Sequence, residues 1–321
     1  MKVLLTGATT PLGQRVFRSL HGAHDLSLLV CAEERAAWSG PQPTGCAIVD
    51  SDLVTPEIYG PAVRGVEVLV HVLEYCQAPD PELIHVNLKG TQSLLHAFGA
   101  WGTPRLLVLL SSALIEAPYP DDPDPDPAAF GSTWLASRVA AEARAHHWAQ
   151  RTGVETVVVR AGHAYGASGI DGPLSGWLDA AAASAEADGR LKLEGADVPL
   201  PFVHVDDLAD AIGGRVGGRA MPGECHLVGP LYRCEAVAML GSLGQVHDAL
   251  CRRAERTPRR DAQGRSLRRR ILSTLVKDRA VPSAPAFLRR PPVRQANAAW
   301  QQTYGAPRVG DVADALIGGA C

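Results

Sequence analysis

Short apolar runs, each nearly free of polar residues, alternate along this chain with stretches in which apolar side chains return every third or fourth position. Val3-Leu4-Leu5 opens the series and ends at Gly7. Leu26 to Cys31, Cys46 to Val49, Val66 to Leu73, Leu106 to Leu110 and Val154 to Val159 continue it. A run without polar alternation is the pattern of a strand covered on both faces. Between the runs, Leu12, Val16, Phe17 and Leu20 fall at helical spacing, and so do the segments Leu83 to Ala100 and Ala128 to Arg151. Strand and helix in alternation predict an α/β fold with a doubly wound parallel sheet. Further on, Pro201-Phe202-Val203-His204-Val205-Asp206-Asp207-Leu208-Ala209 reads as a strand leading into an Asp-capped helix. Tyr119 to Pro127 alternates Asp with Pro and predicts a rigid acidic loop that no helix can include.

The first strand and helix are joined by Gly7-Ala8-Thr9-Thr10-Pro11-Leu12-Gly13. A Gly-rich turn between a strand and a helix sets backbone N–H groups and a helix N-terminus toward an anion, as in dinucleotide-binding folds. Of the three glycines usual at this spacing, the middle one is Thr10. That glycine lets a pyrophosphate approach the backbone without meeting a Cβ, so Thr10 is expected to weaken or abolish cofactor binding.

The 321 residues suffice for one large α/β domain or for a domain with a smaller lobe. An apolar content of 46% argues for a packed globular chain. The net charge of −3 implies no whole-protein attraction to nucleic acid. No apolar run approaches the ~20 residues needed to span a bilayer, and no charged-then-apolar leader opens the sequence, so a soluble cytoplasmic protein is expected. The cysteines number 7 and form no CxxC pair, which argues against a disulfide framework or a zinc site; no metal is expected. Arg252 to Arg270 carries nine arginines against Glu255 and Asp261. It reads either as a solvated face or as a docking patch for an acidic partner such as an acyl-carrier protein. The stretch lacks interleaved aromatics, so nucleic acid is not the expected partner.

Further pieces follow in order: Asp52-Leu53, Asn87 within a helix, Ser111-Ser112 at a strand end, Arg160 to Tyr165-Gly166, and His204-Val205-Asp206-Asp207. Together with the Gly-rich turn they resemble the extended short-chain dehydrogenase/reductase superfamily, in its NAD-dependent epimerase/dehydratase-like branch, from Met1 to about Ala211. The resemblance implies a Rossmann-type core over 1–165, joined again by 202–214, and a smaller substrate lobe in most of 166–321. It implies an NAD(P) cofactor held by Gly7, Thr10, Leu12, Gly13, Asp52, Leu53, Asn87 and Arg138. Glu33 and Glu34 would repel a 2′-phosphate, which slightly favours NAD. It also implies a small-molecule substrate and a homodimer formed through the two long helices.

In such proteins a Ser, a Tyr and a Lys carry the redox step. By resemblance Ser112 takes the Ser position, but the YxxxK pair has become Trp134 and Arg138. An indole N–H does not titrate usefully, so Trp134 cannot serve as a general acid or base. Arg138 can hydrogen-bond a ribose and supply charge but cannot deprotonate. General acid–base help is worth roughly 10²–10⁴-fold in rate, so hydride transfer is expected to be largely lost unless another group substitutes. Glu74 after the fourth strand, where an apolar cleft would raise its pKa, and His163 after the sixth are the candidates. Glu116 and Tyr165 rank lower, Tyr165 as a packing residue. Three readings compete: a non-redox enzyme of isomerase, dehydratase or cyclase type in specialised-metabolite biosynthesis, an NAD(P)-dependent reductase or epimerase with a relocated acid, and an inert nucleotide sensor. The first is favoured, because the long C-terminal third suits a substrate and a sensor needs none.

Overall fold

The opening apolar run becomes the strand β1 (Lys2–Thr6), with Val3, Leu4 and Leu5 fully buried. The computed structural model describes residues 1–30, 47–50, 59–73, 80–115, 132–166, 169–170, 199–219, 224–227, 232–237 and 239–242. After β1 come the helix α1 (Pro11–Leu20) and the strands β2 (Asp25–Val30) and β3 (Ala47–Asp50). The short helix α2 (Gly60–Val63) leads to β4 (Val68–His71). One turn, α3 (Asp80–Leu83), then runs through a π-helical segment (Ile84–Gly90) into α4 (Thr91–Trp101). The strand β5 (Leu106–Ser112), the helix α5 (Thr133–Thr152) and β6 (Glu155–Ala161) follow. The strands β7 (His163–Gly166), β8 (Gly169–Ile170) and β9 (Pro199–His204) precede α6 (Val205–Val216). Last are β10 (Glu224–Leu227), β11 (Tyr232–Val237) and β12 (Met239–Ser242).

The main sheet has eight strands in the order β10-β11-β6-β5-β4-β1-β2-β3, parallel throughout except for the β10–β11 pair. Besides the return through β9 and α6, the chain thus comes back to this sheet through β11, which pairs with β6. The strands β12, β9, β7 and β8 make a second sheet. Both faces of the main sheet are covered. On one, Val3, Leu5, Val70 and Leu110 pack with Val16 and Phe17 of α1 and with Leu208 and Ile212 of α6. On the other, Leu4, Leu69, Leu107 and Leu109 pack with Leu94 and Phe98 of α4 and Trp148 of α5. Two covered faces explain the continuous apolar runs. This is a Rossmann-type doubly wound sheet, as expected. The chain reverses between β1 and β4, and in open sheets of this kind ligands sit in the crevice beyond the strand ends at that point.

Two expectations need correcting. The segment Leu83 to Ala100 is not a uniform α-helix: its middle is the π segment, where the Thr91 hydroxyl donates to the Asn87 carbonyl at 2.7 Å. A side-chain hydroxyl that claims a carbonyl competes with the regular helical ladder. The helix α6 is not capped by Asp. His204 is the N-cap, accepting the Asp206 N–H on its ring Nδ1 at 3.3 Å. Asp206 and Asp207 occupy the first turn, where carboxylates favour the positive end of the helix dipole. Glu33, Glu34, Asp52, Leu53, Glu74, Glu116, the loop Tyr119 to Pro127 and the arginines from Arg252 to Arg270 lie outside the described residues. Among the described residues no helix is long and apolar enough to cross a membrane.

Candidate active site

The turn between β1 and α1 is closed by its own atoms. Thr10 is the N-cap of α1, and its hydroxyl accepts the Gly13 N–H at 3.0 Å while donating to the Gly7 carbonyl at 2.8 Å. The Thr10 N–H donates to the same carbonyl at 3.0 Å, and the Gln14 N–H reaches Thr10 O at 2.9 Å. Pro11 occupies the first helical position and has no N–H. Leu12 sends its side chain into the core, so it meets a ligand only through its backbone. Gly7 has φ +71°, and a Cβ there would lie 2.8 Å from the Leu73 backbone. A Cβ on Gly13 would lie 1.8 Å from the Gly7 carbonyl oxygen.

A chain of buried hydrogen bonds links β1, β4, the π segment, α4 and α5. The Leu73 N–H donates to Thr6 Oγ1 at 3.3 Å, and Thr6 Oγ1 lies 2.7 Å from His71 Nδ1. His71 Nε2 lies 2.9 Å from Thr91 Oγ1, whose proton goes to Asn87 O. Since Thr91 spends its proton there, it accepts from His71, which therefore carries its proton on Nε2 and accepts the Thr6 hydroxyl on Nδ1. Asn87 Nδ2 then donates to Ser137 Oγ at 3.1 Å, and Ser137 donates to the Trp134 carbonyl at 2.7 Å. Burial, with the Arg138 charge adding to it, pushes the His71 pKa down to about 3. Asn87 is thus built into the scaffold that ties α5 to β1 and β4. His71 was not singled out in the sequence. The signal for it was a polar residue inside the apolar run Val66 to Leu73.

Ser112 ends β5 opposite Ala161, and its hydroxyl accepts the Leu114 N–H at 3.2 Å. Ser111 turns to the other face and donates to Glu142 Oε1 of α5 at 2.5 Å. Glu142 also receives Arg160, with Nη2 to Oε2 at 2.6 Å and Nε to Oε1 at 3.1 Å. Arg160 Nη1 reaches the Ile115 carbonyl at 3.1 Å. Trp134 and Arg138 lie on one face of α5, one turn apart, and both are buried. The helix starts on the Ser132 hydroxyl, which accepts the Leu135 N–H at 3.3 Å. It packs on β5, β6, α4 and the π segment.

His163 begins β7 two residues after the partner of Ser112, so the two stand at neighbouring strand ends. Its ring packs 5.9 Å from that of Phe202, and its buried Nε2 has no hydrogen-bond partner. Burial pushes its pKa down to about 4, so it is neutral at physiological pH. Tyr165 is a packing residue, set edge-on to the Phe202 and His204 rings. The turn after β1, Ser112 at the end of β5 and His163 just beyond the end of β6 thus follow the same ends of parallel strands. A groove of 540 Å³ on the outer face of α4 and α5, lined by His96, Arg144, His147 and Arg151 among others, includes none of them. Among the described residues no group of three His, Cys, Asp or Glu side chains could hold a metal ion.

The comparisons agree with this architecture. The model of the NAD dependent epimerase/dehydratase family matches residues 3–213. No curated protein matches the chain. A UDP-glucose 4-epimerase of Thermus thermophilus, solved with NAD, is 20% identical with a TM-score of 0.65, over 99% of this chain and 97% of that one. A UDP-glucuronic acid 4-epimerase of Bacillus cereus is 14% identical with a TM-score of 0.66, over 99% and 97%. A monomeric L-threonine 3-dehydrogenase from a metagenome is 14% identical with a TM-score of 0.59, over 98% and 96%. Identities this low speak for the fold alone, but the family model spans most of the described core, and the chain belongs to the NAD-dependent epimerase/dehydratase family.

Proposed function

We propose that this protein is an enzyme that acts on a small molecule by non-redox chemistry, of isomerase, dehydratase or cyclase type, with specialised-metabolite biosynthesis as its setting. The observation that carries the reading is His163. A buried imidazole nitrogen without a partner costs about 1–3 kcal/mol. Such a cost is understandable where a ligand supplies the missing partner. Held neutral, His163 can donate a hydrogen bond to a substrate oxygen or accept one from it. Ser112 ends β5 opposite Ala161, two residues before His163, and its hydroxyl is the second group in this reading.

Trp134 and Arg138 support the non-redox reading from the other side. By the sequence resemblance they take the positions of the family's proton-transfer pair, and neither side chain suits proton transfer. A proton shuttled at a substrate oxygen therefore falls to Ser112 and His163. Relatives with this fold include epimerases of UDP-sugars solved with NAD. For this chain we propose only the coarser class, a small molecule rearranged or dehydrated without net oxidation.

The test is a screen of pooled hydroxylated and carbonyl-bearing small molecules with no nucleotide added. Mass spectrometry reads products isomeric with, or one water lighter than, their substrates. Wild type is expected to convert at least one compound. His163→Leu should lose roughly 10²-fold or more of that rate while keeping the wild-type melting profile. Turnover that appears only with stoichiometric consumption of NADH or NADPH would sink the reading, and so would a folded His163→Leu variant at full rate.

A further inference from the structure

The three positions of the Gly-rich turn answer to different demands. The first glycine serves the tight turn, the third the packing of helix on strand, and the middle one serves only the approach of a pyrophosphate. Here the first and third remain, and the protein's own atoms require both: a Cβ would meet the Leu73 backbone at Gly7 and the Gly7 carbonyl at Gly13. The middle position, which only a ligand needs bare, holds Thr10. The glycines that persist are thus accounted for by packing and are no sign of a nucleotide.

The donors tell the same story. A helix N-terminus binds an anion through its unsatisfied first-turn N–H groups. At the first position Pro11 has none. At the third, the Gly13 N–H is taken by the Thr10 hydroxyl, and the next, that of Gln14, is taken by the Thr10 carbonyl. Among the first three helical positions only the Leu12 N–H is left to offer outward. The Thr10 hydroxyl cannot stand in as a donor, because its proton is on the Gly7 carbonyl.

We infer that Thr10 and Pro11 together close the pyrophosphate seat, so that this chain has a dinucleotide-binding fold whose turn rejects the dinucleotide. The turn is a strand-to-helix cap, and the crevice ligand is a molecule without a pyrophosphate anchored on α1. The inference stands on the turn alone and does not need the roles given to Ser112 and His163. Nucleotide affinity and turnover are read separately, so one can fail while the other stands.

Calorimetric titration with NAD⁺, NADH, NADP⁺ and NADPH tests it on the full chain. The set is wild type, Thr10→Ser, Thr10→Gly, Pro11→Ala and the double variant Thr10→Gly/Pro11→Ala. Wild type is expected not to saturate with any of the four at micromolar concentration. Thr10→Ser keeps the closing hydroxyl and should behave like wild type. Pro11→Ala leaves the cap intact, returns one N–H and should bind detectably. The double variant should bind NAD⁺ roughly tenfold or more tighter again, as expected for donors regained at a charged phosphate. Micromolar binding by wild type would overturn the inference. Failure of both Pro11→Ala and the double variant to gain affinity, with melting curves showing them folded, would overturn it equally.

Discussion

Arg160 is a charged residue that follows Thr156 and three valines in β6, and it is almost wholly buried. A buried guanidinium holds its place only with its donors satisfied. Glu142 takes two of its nitrogens and the Ile115 carbonyl a third, while Ser111 completes the carboxylate. This pair fixes α5 to the ends of β5 and β6, and so fixes the register of Trp134 and Arg138 two turns and one turn before Glu142. Glu142→Gln removes the carboxylate charge that holds the Arg160 Nε and Nη2 and should cost about 3–5 kcal/mol in urea denaturation. Replacing both partners, as Glu142→Leu/Arg160→Met, should recover a large part of that loss, because the desolvation cost of both charges disappears. A double variant no more stable than Glu142→Gln would mean that the pair contributes far more than it costs to bury. Ser111→Ala removes one hydrogen bond to the carboxylate and should cost about 1.5–3 kcal/mol.

At the level of elements, the join of β1 to α1 shows how contact and conformation separate. Gly22 has φ +86° with nothing near the site of a Cβ, whereas Gly7 has φ +71° and the Leu73 backbone 2.8 Å away. Gly22→Ala should therefore lose only the conformational part, about 1–2 kcal/mol. Gly7→Ala should lose clearly more in the same denaturation assay, and Gly13→Ala, with a carbonyl oxygen at 1.8 Å, should fail to fold. Equal losses at Gly7 and Gly22 would show that the backbone of Val72 and Leu73, just after β4, gives way at no cost. The strands of this core were legible in the sequence because both faces of the sheet are covered and the apolar runs are unbroken. The π segment was not, since its residues keep a helical apolar spacing, and the Thr91 hydroxyl that takes the Asn87 carbonyl is itself engaged by His71 from β4. Asp206 and Asp207 suit a cap and a first turn alike, and only the His204 ring decides between them. The strands β10 and β11 mix charged and apolar residues, as in Tyr232-Arg233-Cys234-Glu235, so no apolar run announces them. Of the candidate residues, Ser112, Trp134, Arg138 and His163 could be named from motif order. The polar chain through Thr6, His71 and Thr91 was not, because each member is ordinary in its own segment and gains meaning only when β1, β4 and α4 meet.

For the whole molecule, two of the buried histidines, His71 and His163, set a dependence of stability on pH. His71 is held neutral by burial, with the Arg138 charge adding to it, and His163 by burial alone. In the unfolded chain both regain an ordinary pKa near 6.5, whereas in the fold they lie at about 3 and about 4. As pH falls below 6.5 the unfolded state takes up protons that the folded state refuses, so stability falls with pH. The loss continues until His163 titrates in the fold near 4 and His71 near 3. In the steep part of this window each histidine contributes a slope approaching about 1.4 kcal/mol per pH unit. The carboxylates add to the loss only further down: Glu67, held low chiefly by the Lys2 N–H, begins to contribute near its ordinary 4.5. Urea denaturation between about pH 6 and about pH 5, where carboxylates remain ionised, isolates the histidines. There His71→Gln and His163→Gln should each reduce the pH slope clearly, and the double variant should keep only a smaller slope, to which His24, lowered by its partial burial, contributes. A wild-type slope unchanged in both variants would place the acid sensitivity elsewhere. It would also remove the case for a neutral His71 locking β1, β4 and α4 together beneath the crevice.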